Sequence, residues 1–271
     1  MTDVAALAGI DLHLRYHGQL VAHAVSVTLR AGQVTALVGP NGSGKSTVLR
    51  ALARLHRPDQ GDVMIAGDSV LAMAARDYAR RVTLLSQSRP TPSGVSVRDV
   101  VSYGRHPHRD RWRGHDPDGP RAIARAMEVT GTHPMADRPV DELSGGELQR
   151  VWLATCLAQN TGILLLDEPT TFLDLRYQIE TLDLVRDLAD QHRVAVGIVL
   201  HDLNQAAAIA DHIVLLTGGR VRASGTPREV LTDAVLTDAY GIRIEVLCDP
   251  ETSHLTARPV GRHLERVRAL A

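Results

Sequence analysis

Lys45 is the only lysine in a chain of 271 residues whose other twenty-nine basic residues are all arginine. The sequence uses arginine wherever arginine serves. At position 45 it does not serve, because a compact ammonium on a flexible stem enters a tight backbone loop that a broad planar guanidinium cannot; chance survival of one lysine is the competing explanation. The surrounding run, Gly39-Pro40-Asn41-Gly42-Ser43-Gly44-Lys45-Ser46-Thr47, satisfies G-x-x-x-x-G-K-[ST], the pattern in which glycines turn successive backbone N–H groups toward phosphate oxygens. In such a loop Lys45 would neutralise the outer phosphates of a nucleotide, and the Ser46 hydroxyl would ligate Mg2+.

A second constellation is Ile163-Leu164-Leu165-Leu166-Asp167-Glu168-Pro169, an uninterrupted apolar run that ends in two carboxylates. Asp167 is placed to hold the hydration shell of a divalent ion. Glu168, one residue further, is placed to take the proton from an attacking water. Taken alone, acidic residues at a strand end are often only solvated turn formers; the phosphate loop upstream is what favours the chemical reading.

These groups need elements to position them. Val34 to Val38 reads as a buried strand ahead of the glycine loop, and Val48, Leu49, Leu52 and Leu55 recur at helical spacing after it. The run ending in Asp167 is continuous enough for a parallel strand buried on both faces, whose C-terminal edge is where an α/β sheet binds ligands. Residues 1 to about 86 alternate in period two around Leu12, Leu14 and Tyr16, then Val25, Val27 and Leu29, which predicts antiparallel strands flanking the loop. Residues from about 88 to 160 read as mostly helical. Ile213 to Leu216 and Val221 to Ala223 predict a hairpin through Gly218-Gly219, and Thr226-Pro227-Arg228-Glu229 predicts a capped helix start.

The third constellation, Leu143-Ser144-Gly145-Gly146-Glu147-Leu148-Gln149-Arg150, resembles the LSGGQ signature of ABC ATPases, and the resemblance spans nearly the whole chain. It implies an α/β fold: a P-loop NTPase of the ABC nucleotide-binding type, with an antiparallel β subdomain and a helical signature subdomain. Residues 1–240 would form that domain, with the helical subdomain at about 88–160, and 241–271 a C-terminal extension. Tyr16 resembles the aromatic that stacks on adenine, Gln87 the glutamine that touches Mg2+, Leu173-Asp174 the D-loop, and His201 the switch histidine that reaches the γ phosphate.

The resemblance further implies ATP and Mg2+ as cofactors, with the ion held through Ser46, Gln87 and Asp167. Glu168, His201, Lys45 and Gln87 would carry catalysis. Two copies would meet head to tail as a homodimer, each offering Gly39 to Thr47 to one ATP and Ser144 to Gly146, with Glu147 and Asp174 nearby, to the other. Partners would be integral membrane permease subunits and, indirectly, a substrate-binding protein, which places the chain on the cytoplasmic face of the cell membrane. Ser102-Tyr103-Gly104-Arg105-His106-Pro107-His108, Thr170-Thr171-Phe172-Leu173-Asp174-Leu175 and His201-Asp202-Leu203-Asn204-Gln205-Ala206 resemble importers of ferric siderophores, with haem and cobalamin importers as the alternative. One position departs from the signature: Glu147 stands where the family has Gln. Ser144-x-x-Glu147 is also a capping box. The Glu147 carboxylate is expected to fold onto the Ser144 backbone N–H and leave the Ser144 hydroxyl for ATP, although an anion is poorly placed beside a phosphate.

Composition removes other classes. A net charge of −1 gives no general attraction to nucleic acid, so none is expected as a partner. Cys156 and Cys248 lack CxxC spacing and suit a reducing compartment. No apolar run approaches the length of a membrane span, and the N-terminus does not read as a secretory signal. A soluble ABC ATPase would need a second cassette or sustained heptads, and a phosphate-loop kinase would make no use of Ser144 to Glu147. The basic stretch Gly104 to Arg113 reads as a solvated loop or as a contact for permease or anionic lipid, and Phe172, the only phenylalanine, as packing beside the D-loop.

Overall fold

The computed structural model describes residues 6–87, 89–110 and 115–261. Its centre is a six-stranded sheet in the order β10-β9-β3-β8-β7-β6, where β3 is Val34–Val38, β6 Val82–Leu85, β7 Ile163–Asp167, β8 Ala195–Val199, β9 His212–Thr217 and β10 Arg220–Gly225. Every residue of β3, β7 and β8 is buried, as parallel strands covered on both faces must be. Period two divides their side chains between two cores: Val34, Ala36 and Val38 join one apolar cluster and Leu37 the other. β10 runs antiparallel to β9 and closes the edge as the expected hairpin.

A second, antiparallel sheet covers one face in the order β2-β1-β4-β5, with β1 Leu7–Tyr16, β2 Gln19–Leu29, β4 Gln60–Ile65 and β5 Asp68–Ser69. Leu12, Leu14, Val25, Val27 and Leu29 point inward from it and enclose helix α1, Lys45–Leu52. The short α2, Ala75–Ala79, leads into β6. On the other face lie α6 (Leu175–His192), α7 (Leu203–Ile209), α8 (Pro227–Val230) and α9 (Asp233–Tyr240). The capping box at Thr226 and Glu229 forms as its spacing predicts, although α8 runs for only four residues. A last hairpin, β11 (Ile244–Cys248) and β12 (Leu255–Pro259), docks on α7: the Asn204 side chain accepts from Ala257 N at 2.7 Å and donates to Ala257 O at 3.3 Å. Ile244 and Ala257 belong to the apolar cluster of the main sheet.

Between β6 and β7 the chain builds a helical lobe from α3 (Val97–Tyr103), α4 (Gly119–Val129) and α5 (Gly145–Ala158), with an apolar cluster of its own. α5 serves two cores at once, since Val151, Ala154 and Ala158 face the lobe while Leu153 and Cys156 face the main sheet. α3 ends where a glycine is obligatory: a Cβ at Gly104 would stand 2.0 Å from the Thr155 carbonyl oxygen on α5.

Two sequence expectations are corrected here. Arg105 is neither solvated nor available to a membrane or permease, being only 3% exposed. It donates to both carboxylate oxygens of Asp116 at 2.7 and 3.0 Å and to Ala158 O at 2.9 Å, while His108 Nε2 stands 2.7 Å from Gln159 O. The first half of the basic stretch therefore clamps the C-terminal end of α5, and Arg111 to Arg113 lie outside the described residues. Phe172, expected to pack, is 96% exposed. Its φ of +65° belongs to a sharp loop turn that carries the ring out to solvent. No helix of the described residues is long and apolar enough to cross a membrane.

The Arg105 hydrogen bonds hold the Asp116 carboxyl below the usual carboxylate range. Removing the cation leaves a buried charge without compensation, so Arg105→Ala is expected to cost about 3 kcal/mol at neutral pH. A depressed pKa contributes stability above the unfolded carboxylate pKa and loses it as pH falls through the folded value. Urea titrations should accordingly show the wild-type-to-variant gap narrowing as Asp116 is protonated.

Candidate functional site

The loops that follow β3, β8, β7 and β6 emerge at one edge of the sheet, and these strands are neighbours in that order. The glycine loop, His201, Asp167 with Glu168, and Gln87 are thereby brought to one ridge, although they span positions 39 to 201 of the chain. The loop after β3 is pressed between two other strands. A Cβ at Gly39 would sit 2.0 Å from the Leu216 carbonyl oxygen on β9, and one at Gly44 2.5 Å from that of Val21 on β2, and both residues have positive φ. Only glycine satisfies both the space and the backbone angle.

Lys45 begins α1, whose N-terminus receives no side-chain cap. Lys45 is 4% exposed, and its ammonium donates to the carbonyls of Gly39 and Pro40 at 2.9 Å each. It thus curls into the loop it is expected to neutralise. Burial lowers its pKa, opposed by the charges of Glu168 and Asp167. The Ser43 hydroxyl is buried with no partner. Open N–H groups at a helix start, a coiled ammonium and an orphaned hydroxyl together make a cradle suited to an anion such as phosphate.

Asp167 ends β7 at 1% exposure, and neither carboxylate oxygen has a hydrogen-bond partner. Arg50 approaches to 3.6 Å, and burial raises the Asp167 pKa against the pull of Ser46 and Arg50. A buried carboxylate held only by one long ion pair is costly unless a further cation pairs with it. With the Ser46 hydroxyl beside it, the donor set is hard oxygen, which fits a hydrated Mg2+ ion.

Glu168 stands in a left-handed backbone conformation, φ +53°, which turns its carboxylate back across the strand ends. One oxygen lies 2.5 Å from His201 Nε2, and the other accepts from Gln87 Nε2 at 2.6 Å. The structure therefore gathers Glu168, His201 and Gln87 at one point. The hydrogen bond that Gln87 makes is to Glu168, whereas the metal role implied for it would require it to face the ion. Tyr16 ends β1 48% exposed, its ring in edge contact with His17 at 4.4 Å between centroids, so an aromatic face is open to a base.

The serine-led helix is α5. Ser144 is its N-cap, and the capping box is complete. Glu147 accepts from the Ser144 backbone N at 2.9 Å, as expected, but also from the Ser144 hydroxyl at 2.8 Å. The hydroxyl expected to stay free for ATP is thus engaged. Arg138 holds the other Glu147 oxygen at 3.4 Å, and the carboxyl pKa is lowered, first by the Ser144 backbone hydrogen bond. Gly145 and Ser144 face solvent, while Gly146 is buried on the Tyr177 ring, 2.3 Å from where a Cβ would stand. Asp174 caps α6 by accepting from Tyr177 N at 3.0 Å, so the starts of α5 and α6 are fitted to each other.

Two side chains at the site escaped the sequence reading. Gln149 donates to Pro169 O, the residue after Glu168, at 2.7 Å, and Arg89 donates to Gln149 at 2.9 Å. Gln149 could have been found as a polar residue on a buried face of an apolar helix; Arg89 carries no sequence signal beyond lying two positions past Gln87. Further staples join the loops: Thr170 donates to Gln205, Gln205 to Gln178 and Gln178 to Leu173 O, each at 2.9 Å.

Comparison with known proteins identifies the family and the fold. The family model described as ABC transporter matches residues 22–171. The ferric enterobactin transport ATP-binding protein of Escherichia coli is 42% identical over 97% of both chains. The iron(3+)-hydroxamate import ATP-binding protein of Bacillus subtilis is 38% identical over 92% of both. Among solved structures, a metal-chelate type ABC transporter in an inward-facing conformation superposes with a TM-score of 0.83 at 28% identity, covering 96% of this chain and 99% of that one. The chain therefore belongs to the ABC transporter family as an ATP-binding, ATP-hydrolysing subunit.

Proposed function

We propose that the chain powers an importer of ferric siderophores, docking as a homodimer on separate membrane permease subunits at the cytoplasmic face. The observation that carries the ATPase chemistry is the meeting of Gln87, Glu168 and His201 beside the Lys45 cradle. The cargo reading is supported by the names of the enterobactin and hydroxamate relatives. Cobalamin is the second reading, favoured by a relative from Halobacterium salinarum named for cobalamin import, 43% identical over 94% of this chain and 63% of its own length.

The mechanism follows from the side chains. When a triphosphate enters, Lys45 exchanges the Gly39 and Pro40 carbonyls for phosphate oxygens, and the first N–H groups of α1 receive the remainder. Ser46 and Asp167 would hold Mg2+, with Gln87 joining them once it leaves Glu168; the ion supplies neutralising charge at the phosphates. Glu168, released from Gln87, takes the proton of an in-line water, and His201 turns to the γ phosphate. The exposed tip of α5, Ser144 to Gly146, completes the site of the partner copy, and Tyr16 stacks on the base. A substrate-binding protein would deliver cargo to the permease and never touch this chain.

Glu168→Gln should keep ATP binding and ATP-driven dimerisation while phosphate release falls by about a hundredfold or more; unchanged turnover would remove Glu168 from the chemistry. Glu147→Gln replaces a charge-assisted hold on the Ser144 hydroxyl by a weaker neutral one and removes an anion from the phosphate's path. Light scattering should then show dimerisation at about tenfold lower ATP, and an unshifted midpoint would mean that the Glu147 carboxylate swings aside at no cost. For the cargo, deleting the gene should abolish growth on a ferric siderophore as sole iron source and leave cobalamin uptake intact; the reverse result selects the second reading.

A further inference from the structure

Arg89 is a half-buried cation without a carboxylate partner among the described residues. It pairs with no carboxylate among the described residues, its Nη1 is buried without a hydrogen-bond partner, and burial pushes its pKa down to about 10. A charge kept in such a place is a stability cost unless it performs a task. What it touches indicates the task. Its guanidinium lies 5.6 Å from the centre of the Trp152 ring and donates from Nη2 to Gln149 Oε1 at 2.9 Å. Both partners are on α5, one turn apart on the same face.

An amide side chain can present either its oxygen or its NH2 to a neighbour, and here the neighbour on the far side is the Pro169 carbonyl. Because a guanidinium can only donate, Arg89 fixes the Gln149 oxygen on its own side and turns the NH2 toward Pro169, where it donates at 2.7 Å. That carbonyl follows directly on Glu168, whose left-handed backbone, φ +53°, persists only where its surroundings hold it. The contacts close a ring: Gln87 grips the Glu168 carboxylate, Arg89 sits two residues beyond Gln87, and Gln149 returns to Pro169.

We propose that Arg89 is a positioning residue for hydrolysis, acting through the Gln149 amide to hold the Glu168 turn, so that the serine-led helix and the backbone of the base keep a fixed register when the Gln87 side chain leaves Glu168. The idea rests on the ATPase reading above. Without Arg89 the Gln149 amide is free to flip and face Pro169 carbonyl to carbonyl, and Glu168 loses its fixed direction. Among the described residues neither side chain hydrogen-bonds to the cradle, so nucleotide affinity should not follow.

The test uses the full-length chain carrying Arg89→Met, Gln149→Leu, or both, with Arg89→Lys as a fourth variant. Methionine fills the space and removes the uncompensated charge, so its melting temperature should equal or exceed wild type. The expected kinetic result is a kcat lowered about tenfold with KM for MgATP unchanged, the double variant no slower than the worse single one. Lysine, which also can only donate, should restore part of kcat by holding the Gln149 oxygen on its own side. Independent, multiplying losses in the double variant would overturn the proposal, as would a raised KM at normal kcat, or a lowered melting temperature that accounts for the lost rate. Absence of ATPase activity in the wild-type chain itself would count against the parent reading instead.

Discussion

The site depends on one carboxylate being held by two neighbouring strand ends. Glu168 leaves β7 in a left-handed turn and is shared between the Gln87 amide and the His201 imidazole. A parallel sheet makes this possible, because successive strands deliver their following loops to the same edge. With Lys45 occupied by the carbonyls of its own loop, the chain holds its reactive groups on internal partners. Each of these contacts is one that a phosphate, an ion or a water can replace, so ligand binding exchanges hydrogen bonds and does not build a site from nothing.

The tip of α5 follows the same logic with an added element. A glutamine at position 147 could close the capping box as a neutral partner; the glutamate closes it as an anion and so holds the Ser144 backbone N–H and hydroxyl more strongly. Arg138 steadies the carboxylate from behind. Local helix stability and readiness to meet a phosphate are therefore opposed at this position, since a negative group suits a helix start but not an incoming polyanion. Such opposition is where a local structural rule and a functional demand are expected to part company.

Much of the frame was legible because its signals are short-range. The glycine loop between an apolar strand and an amphipathic helix, the period-two alternation of β1 and β2, and the hairpin through Gly218-Gly219 all follow from neighbouring residues. What was not legible depends on contacts across long sequence separations. Arg105 read as one charge in a basic run, and only its meeting with Asp116 and the end of α5 makes it a buried clamp. Phe172 read as core because aromatics usually bury, whereas its positive φ places it in solvent. The strings that suggested a siderophore cargo prove to be internal joinery: Thr170, Asn204 and Gln205 from them, with Gln178 as partner, tie α6, α7 and the last hairpin to the loop after Glu168. Resemblance in such strings reports a shared frame more than a shared cargo.

Because the central claim is an exchange of partners, the most direct measurement is the structure of the full chain bound to a non-hydrolysable Mg-nucleotide. The account requires Lys45 Nζ to have left the Gly39 and Pro40 carbonyls for phosphate oxygens and the Gln87 amide to have left Glu168 for the ion. Nucleotide bound with both of those internal contacts intact would contradict it.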